Sequence, residues 1–119
     1  IELEEGVKIP NDLSKFDGMF CMGGPMDTYM ENEYPWLKEE KKRIKEFVVD
    51  IKKPYLGFCL GCQLIGEVVG GKVVKSSPAE IGMMDINLSK EKKQDSLFFK
   101  FHDKIKSFQW QWYEVQGIE

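Results

Sequence analysis

The sequence predicts an α/β domain whose sheet is mostly parallel, with an antiparallel extension at one edge. Two short apolar runs predict buried strands, and each is followed by a segment with apolar residues at helical spacing. The last third of the chain carries strand-like stretches with no helix between them, which is typical of antiparallel pairing. At 119 residues, the chain has the length of one domain or of part of one.

The first strand and the first helix are predicted between residues 17 and 51. Asp17 to Met22 is an apolar run that stops at the turn-forming sequence Gly23-Gly24-Pro25. Pro35 then opens a long segment, and proline suits the first turn of a helix because its missing N–H would have no intrahelical partner there. The apolar residues of this segment fall on one helical face: Trp36, Leu37, Ile44, Phe47, Val48 and Ile51.

The second strand and helix follow at once, and strands occupy the remainder of the chain. Pro54 to Cys59 is the second apolar run. A helix is predicted through Leu64, Ile65, Val68 and Val69, with Gly70-Gly71 as its C-terminal stop. The later strands are predicted at Lys72 to Lys75, Ile81 to Leu88 and Ser107 to Val115.

Composition and charge exclude several classes of protein. The net charge is −3 and the basic residues are scattered, so no nucleic-acid-binding face is predicted. The apolar runs are too short to cross a membrane. Three cysteines are too few for a disulfide framework, which indicates a reducing, cytoplasmic compartment. The chain begins with Ile rather than Met and its start is acidic, which predicts a fragment or a processed chain without a signal peptide.

The sequence Gly57-Phe58-Cys59-Leu60-Gly61 predicts a nucleophile elbow, in which a sharp turn joins a strand to a helix. The residues two positions either side of the nucleophile come very close to each other, so they must lack side chains. The turn would place the sulfur of Cys59 at a helix N-terminus, where the partial positive charge favours a thiolate. The backbone N–H of Leu60 would face the position where an oxyanion forms.

Cys59 and Cys62 also form a C-x-x-C sequence, which permits two other hypotheses. One is a thiol redox pair, and the other is half of a structural zinc site. Only Cys21 and His102 remain as further Cys or His ligands, so the zinc site is poorly supported. The redox pair stays open, although a redox motif does not require the two glycines that flank Cys59.

The pair of motifs resembles the class I glutamine amidotransferase family. Pro54 to Leu64 is similar to the family signature P-x-x-G-x-C-x-G-x-Q, and Phe16 to Met26 resembles its strand and G-G-P loop. Glu33 to Leu37 resembles the helix start of the stand-alone, GMP-synthase-like branch. Further matching segments extend the resemblance over nearly the whole chain: Gly70 to Val73, Glu80 to Gly82, and Phe108 to Val115. The resemblance implies a flavodoxin-like three-layer sandwich.

The resemblance also implies glutamine hydrolysis through a thioester on Cys59. Gly24 and Leu60 would supply the N–H groups of the oxyanion hole. The predicted substrate-binding residues are Gln63, Gln111 and Tyr113. Ammonia would pass to a synthetase domain or to a separate synthetase chain, and no metal or organic cofactor is implied. Some relatives cut γ-glutamyl bonds in other small molecules by the same acyl chemistry.

The sequence departs from the family pattern in three ways. The catalytic His with a Glu two residues later is not found, and His102, upstream of the aromatic strand, does not match it. Gln111 stands where the family usually carries a His, and the adjacent Trp112 is bulky for its place. The family domain also has a strand before the stretch matched by residues 1–10 and further elements after Glu119.

Residues 1–119 are therefore predicted to form a partial domain, truncated at both ends and inactive or nearly so as given. One hypothesis is that the chain folds only in association with another copy, as a homo-oligomer, or with another chain. Three functional alternatives follow: a glutaminase domain, a catalytically impaired remnant or binding module, and a γ-glutamyl hydrolase. In each case the predicted ligand is glutamine or a γ-glutamyl compound, and neither nucleic acid nor membrane is a predicted partner.

Overall fold

The computed structural model describes residues 1–118 and divides the chain into two compact units. The first unit consists of Ile1–Lys75 together with the residues from Tyr113 onward, and the second consists of Ser76–Trp112. The helices and strands alternate in the first unit as the sequence predicts. In residues 1–118, no helix has both the length and the apolar character needed to cross a membrane.

A short parallel sheet forms the centre of the first unit. Strand β1 covers Met19–Cys21 and strand β2 covers Tyr55–Gly57. They pair in parallel, with Met19 opposite Tyr55 and Cys21 opposite Gly57. Both strands fall within the apolar runs predicted from the sequence.

Two helices pack against each other beside this sheet. Helix α1 covers Trp36–Lys45 and continues as one π-helical turn, Glu46–Asp50. Helix α2 covers Leu60–Val68 and ends before Gly70, whose φ of 97° provides the predicted stop. The core cluster joins both helices through four buried residues, which are Leu37, Ile44, Leu60 and Leu64. Burial of Leu37, Ile44 and Phe47 confirms the predicted inner face of the first helix.

The remaining strands pair with each other as a second, antiparallel sheet. Strand β3 covers Lys72–Asn87 and strand β4 covers Lys104–Gln116. The two short strands predicted at 72–75 and 81–88 are one continuous strand. Residues 76–80, between the two predicted strands, have weak strand propensity. Pairing with β4 supplies hydrogen-bond partners that the local sequence does not reveal, and this overrides the weak propensity. With both sheets present, the predicted flavodoxin-like α/β class is confirmed.

Strand β4 presents an exposed aromatic stripe. The side chains of Phe108, Trp110 and Trp112 are all exposed and project at alternate positions of the strand. Neighbouring ring centroids are 6.1 Å apart for Phe108 and Trp110, and 6.4 Å apart for Trp110 and Trp112. Ser107 to Val115, predicted as an aromatic strand, therefore lies within β4.

The Leu64→Ala substitution should test the packing between the two helices. Leu64 is fully buried, so its truncation leaves a cavity and should lower the free energy of unfolding by about 3 kcal/mol. Urea unfolding followed by circular dichroism measures the loss. Val69→Ala, at an exposed residue after the same helix, should change the free energy by less than about 0.5 kcal/mol. Equal losses in the two variants would contradict this description of the core.

Candidate active site

Cys59 lies at the sharp turn between β2 and α2. Its backbone has φ 51° and ψ −113°, a conformation that residues with a β-carbon rarely adopt. Such strain persists only where the surrounding structure holds it, and it is concentrated at functional sites. The residue is also exposed, as a nucleophile must be. The elbow geometry predicted from the glycine spacing is therefore present.

The turn requires glycine at positions 57 and 61. Each of Gly57 and Gly61 lies against backbone atoms of other residues, so neither position has room for a β-carbon. A β-carbon on Gly57 would lie 2.6 Å from the backbone nitrogen of Cys62. A β-carbon on Gly61 would overlap the carbonyl group of Cys21, 2.7 Å from its carbon atom. The Phe58 N–H donates a 2.8 Å hydrogen bond to the same Cys21 carbonyl oxygen, which attaches the elbow to the end of β1.

The G-G-P loop lies directly against the elbow. A β-carbon on Gly23 would be 3.1 Å from the Cβ of Cys59 and 3.5 Å from its Sγ. One on Gly24 would be 3.3 Å from Cδ2 of Leu60. The structure thus brings three of the predicted site residues together, namely Gly24, Cys59 and Leu60.

The start of α2 gives this cluster a positive electrostatic character. The first N–H groups of a helix have no intrahelical partner, and the aligned peptide dipoles add partial positive charge there. Leu60 is the first residue of α2, directly after Cys59. A negatively charged oxygen atom at this point would be stabilised by these N–H groups.

Cys21 of β1 and Tyr55 of β2 lie next to the elbow and make side-chain hydrogen bonds. The Tyr55 hydroxyl donates a 2.8 Å hydrogen bond to the Gly61 carbonyl oxygen, and the Cys21 thiol donates a 2.9 Å hydrogen bond to Oε1 of Glu40. Burial, and then the hydrogen bond to the Glu40 carboxylate, raise the pKa of Cys21 from 9.0 to about 12. Cys21 therefore stays a neutral thiol near neutral pH, which suits a structural role. This contact of Tyr55 is not predictable from the sequence, because a tyrosine in a strand carries no signal of which carbonyl it will reach.

Cys62 lies one turn into α2 and is an exposed free thiol. Desolvation, with the nearby Cys59 as a second cause, raises its pKa. All three cysteines are unbonded. Within the described chain, no group of three His, Cys, Asp or Glu side chains is placed to hold a metal ion.

The predicted substrate-binding residues have different surroundings. Gln63 lies on α2 and is 7% exposed. Tyr113 packs edge-on against Tyr29, with ring centroids 6.4 Å apart. Gln111 belongs to the second unit, where its Nε2 donates a 2.6 Å hydrogen bond to Oε2 of Glu80. Gln63 therefore lies on the helix that follows the elbow. The Gln111 amide is hydrogen-bonded to a residue of the second unit.

Fold and site together define an α/β protein with a cysteine displayed on a strand-to-helix elbow. The family model described as glutamine amidotransferase class-I matches residues 2–119. The chain therefore belongs to the class I glutamine amidotransferase family, and the family predicted from the two motifs is confirmed.

Curated relatives agree with this assignment. A glutamine-hydrolyzing GMP synthase subunit from Sulfolobus acidocaldarius is 32% identical over 84 residues, which cover 71% of this chain and 42% of the relative. Gamma-glutamyl peptidase 3 from Arabidopsis thaliana is 32% identical over 82 residues, covering 68% of this chain and 32% of that protein. The chain thus spans less than half the length of these two relatives.

A solved structure shows the same arrangement of elements. The crystal structure of a glutamine amidotransferase from Thermotoga maritima superposes with a TM-score of 0.86 at 29% identity. The match covers 98% of this chain and 49% of the other. The fold of this chain is therefore that of about half of this glutamine amidotransferase.

Gly61→Ala should destabilise the protein because the new methyl group meets backbone rather than a movable side chain. We expect the free energy of unfolding to fall by about 3 kcal/mol, at the upper end of ordinary overpacking costs. Chemical denaturation measures the change. Gly18→Ala is the matched control, because its methyl group would meet only the Pro54 carbonyl oxygen at 3.7 Å. If both variants were equally stable, the close approach at the elbow would be disproved.

Because the pKa of Cys21 is raised in the folded protein, we expect the free energy of unfolding to fall at alkaline pH. The unfolded thiol ionises near pH 9.0, whereas the folded thiol keeps its proton up to a pKa of about 12. Because the folded pKa is the higher one, this contribution is fully present below pH 9.0 and is lost as the pH rises through that window. Urea unfolding at stepped pH should therefore show a smaller decline over this range for Cys21→Ser than for the unsubstituted protein. Parallel curves above pH 9.0 would contradict the assignment.

Proposed function

We propose that this chain carries the glutaminase site of an amidotransferase, with Cys59 as the nucleophile. The observation that carries the proposal is the exposed Cys59 held at φ 51° directly before α2, with the G-G-P loop against it. Membership of the family supports the same assignment. The acyl chemistry at Cys59 is the same whichever acceptor receives the ammonia.

The proposed reaction proceeds in two steps that share one oxyanion site. The sulfur of Cys59 adds to the side-chain amide carbon of glutamine, and the carbonyl oxygen becomes an oxyanion. The N–H groups of Leu60 and Gly24 would stabilise that charge. The C–N bond then breaks, and the nitrogen takes up the proton that the Cys59 thiol lost and leaves as ammonia, which gives a γ-glutamyl thioester. Water attacks the thioester, so that glutamate is released and the thiol is restored.

Substrate recognition is assigned to three residues by the resemblance to the family: Gln63, Tyr113 and Gln111. Gln63 lies on the same helix as Leu60 and is mostly buried, and the resemblance to the family assigns it a hydrogen bond to the substrate. Tyr113 would contribute its ring or hydroxyl, beside Tyr29. Gln111 can donate and accept hydrogen bonds but cannot titrate, so it would bind and not transfer a proton.

A γ-glutamyl hydrolase is the second candidate function. The Arabidopsis thaliana relative named a gamma-glutamyl peptidase supports it, because cleavage of a γ-glutamyl bond needs the same thioester. The relatives named as GMP synthase subunits favour the first candidate, with a synthetase chain as the recipient of ammonia. A remnant that binds ligand without turnover is the third alternative.

Covalent labelling tests the nucleophile without requiring turnover. The glutamine analogue 6-diazo-5-oxo-L-norleucine should alkylate Cys59, because a carbonyl group bound at the oxyanion site places the diazo carbon beside the sulfur. The thiol proton passes to that carbon, a C–S bond forms and N2 leaves. Intact-mass and peptide mass spectrometry locate the adduct. Cys59→Ala should abolish labelling, whereas Cys62→Ser should retain it. A protein that reacts with iodoacetamide at Cys59 but not with the analogue would refute the proposed site.

Competition during this labelling separates the candidate substrates. Glutamine should slow the modification of Cys59 if the site binds the free amino acid. A γ-glutamyl dipeptide that protects better than glutamine would favour the hydrolase instead. Protection of Cys59 from iodoacetamide by glutamine, in a protein that the glutamine analogue does not modify, would identify the binding module.

A further inference from the structure

A polar network connects the loop after the G-G-P turn to both helices. The Lys41 ammonium of α1 contacts three oxygens: Oε1 of Glu31 at 2.8 Å, Oε2 of Glu67 at 2.8 Å and the Thr28 carbonyl at 2.7 Å. These contacts use all three donors of a lysine ammonium. The Lys41 side chain is 19% exposed, so the network is shielded from solvent more than an ordinary surface ion pair.

Thr28 closes the network on its other side. Its hydroxyl donates a 2.6 Å hydrogen bond to Oε1 of Glu67, and the residue is 1% exposed. Glu67 therefore accepts from Thr28 with one oxygen and from Lys41 with the other. Because Thr28 is buried, loss of the Glu67 carboxylate would leave the Thr28 hydroxyl without its hydrogen-bond partner.

The positions of these residues relate the network to the elbow. Thr28 follows Gly24 by four residues, and Glu67 lies on the helix that begins with Leu60, about 10 Å along its axis. The two proposed oxyanion donors thus belong to separate segments, and the Thr28–Glu67 hydrogen bond joins those segments directly. None of the contacts that build the network involves Cys59.

We propose that Thr28, Lys41 and Glu67 are positioning residues that fix the Gly24 segment relative to the start of α2. The inference rests on the proposed function, since the distance between the Gly24 and Leu60 N–H groups matters only if both bind one oxyanion. A displacement of about 1 Å in such a site is enough to cost large factors in rate. The network therefore contributes to the reactivity of the site as well as to stability.

Paired substitutions at Thr28 test the proposal. Thr28→Val keeps the shape of the side chain and removes the hydroxyl, whereas Thr28→Ser keeps the hydroxyl. Hydrogen–deuterium exchange followed by mass spectrometry should show faster exchange over residues 23–30 in Thr28→Val and in Glu67→Gln. Thr28→Ser should exchange like the unsubstituted protein. Unchanged exchange in Thr28→Val and Glu67→Gln would overturn the inference.

The second readout is the ratio of two labelling rates at Cys59. Reaction with 6-diazo-5-oxo-L-norleucine depends on the oxyanion donors, whereas reaction with iodoacetamide reports the thiol alone. Thr28→Val should lower this ratio by about tenfold. Thr28→Ser, which keeps the hydroxyl, should have the ratio of the unsubstituted protein. A purely structural role would leave the ratio unchanged, and that result would also overturn the inference.

Two control variants separate positioning from general loss of stability. Lys42 is adjacent to Lys41 in the chain but takes no part in the network. Lys42→Gln should therefore leave both the hydrogen–deuterium exchange rate and the ratio of labelling rates unchanged. Phe47→Leu loosens the buried core beyond α1 and should lower stability without lowering the ratio. If Phe47→Leu lowers the ratio as much as Thr28→Val does, positioning is refuted. If Cys59 of the unsubstituted protein does not react with the glutamine analogue, the proposed function is refuted. The hydrogen–deuterium exchange measurement still decides, independently, whether the network orders the loop.

Discussion

The candidate site depends on a backbone contact that no side chain could tolerate. The turn after β2 brings the backbone at Gly61 against the Cys21 carbonyl group, and it brings Gly57 against the backbone of Cys62. Both contacts are needed to display Cys59 at φ 51°. The strand, the helix and the sulfur are therefore parts of one steric arrangement, and the hydrogen bonds of Phe58 and Tyr55 hold it in place.

The core and the polar network act on the same elements by different forces. Leu37 and Ile44 of the first helix pack with Leu60 and Leu64 of the second, so burial of apolar surface fixes the distance between the helices. Lys41 extends from the first helix to Glu67 of the second. Apolar packing is not directional, whereas hydrogen bonds are, so the network adds a constraint on how the loop and the helices are aligned.

Much of the first unit could be predicted from local sequence signals. The apolar runs located β1 and β2, helical periodicity located α1 and α2, and Gly70 marked the stop of the second helix. The continuous strand Lys72–Asn87 could not be predicted whole, because its middle depends on pairing with a distant strand. The support given by Tyr55 and Thr28 was also missed, since their partners lie in other elements.

The sequence by itself determined where an exposed cysteine would be displayed and which residues must lack side chains around it. Those requirements are local, because they arise from a turn of five residues and from the helix that follows. The resemblance to the family already placed Gly24 of the G-G-P loop beside Leu60, and only the tertiary structure decided that Thr28, Lys41 and Glu67 join three segments. Such contacts connect residues far apart in the chain, and a single sequence records no pairing between distant positions.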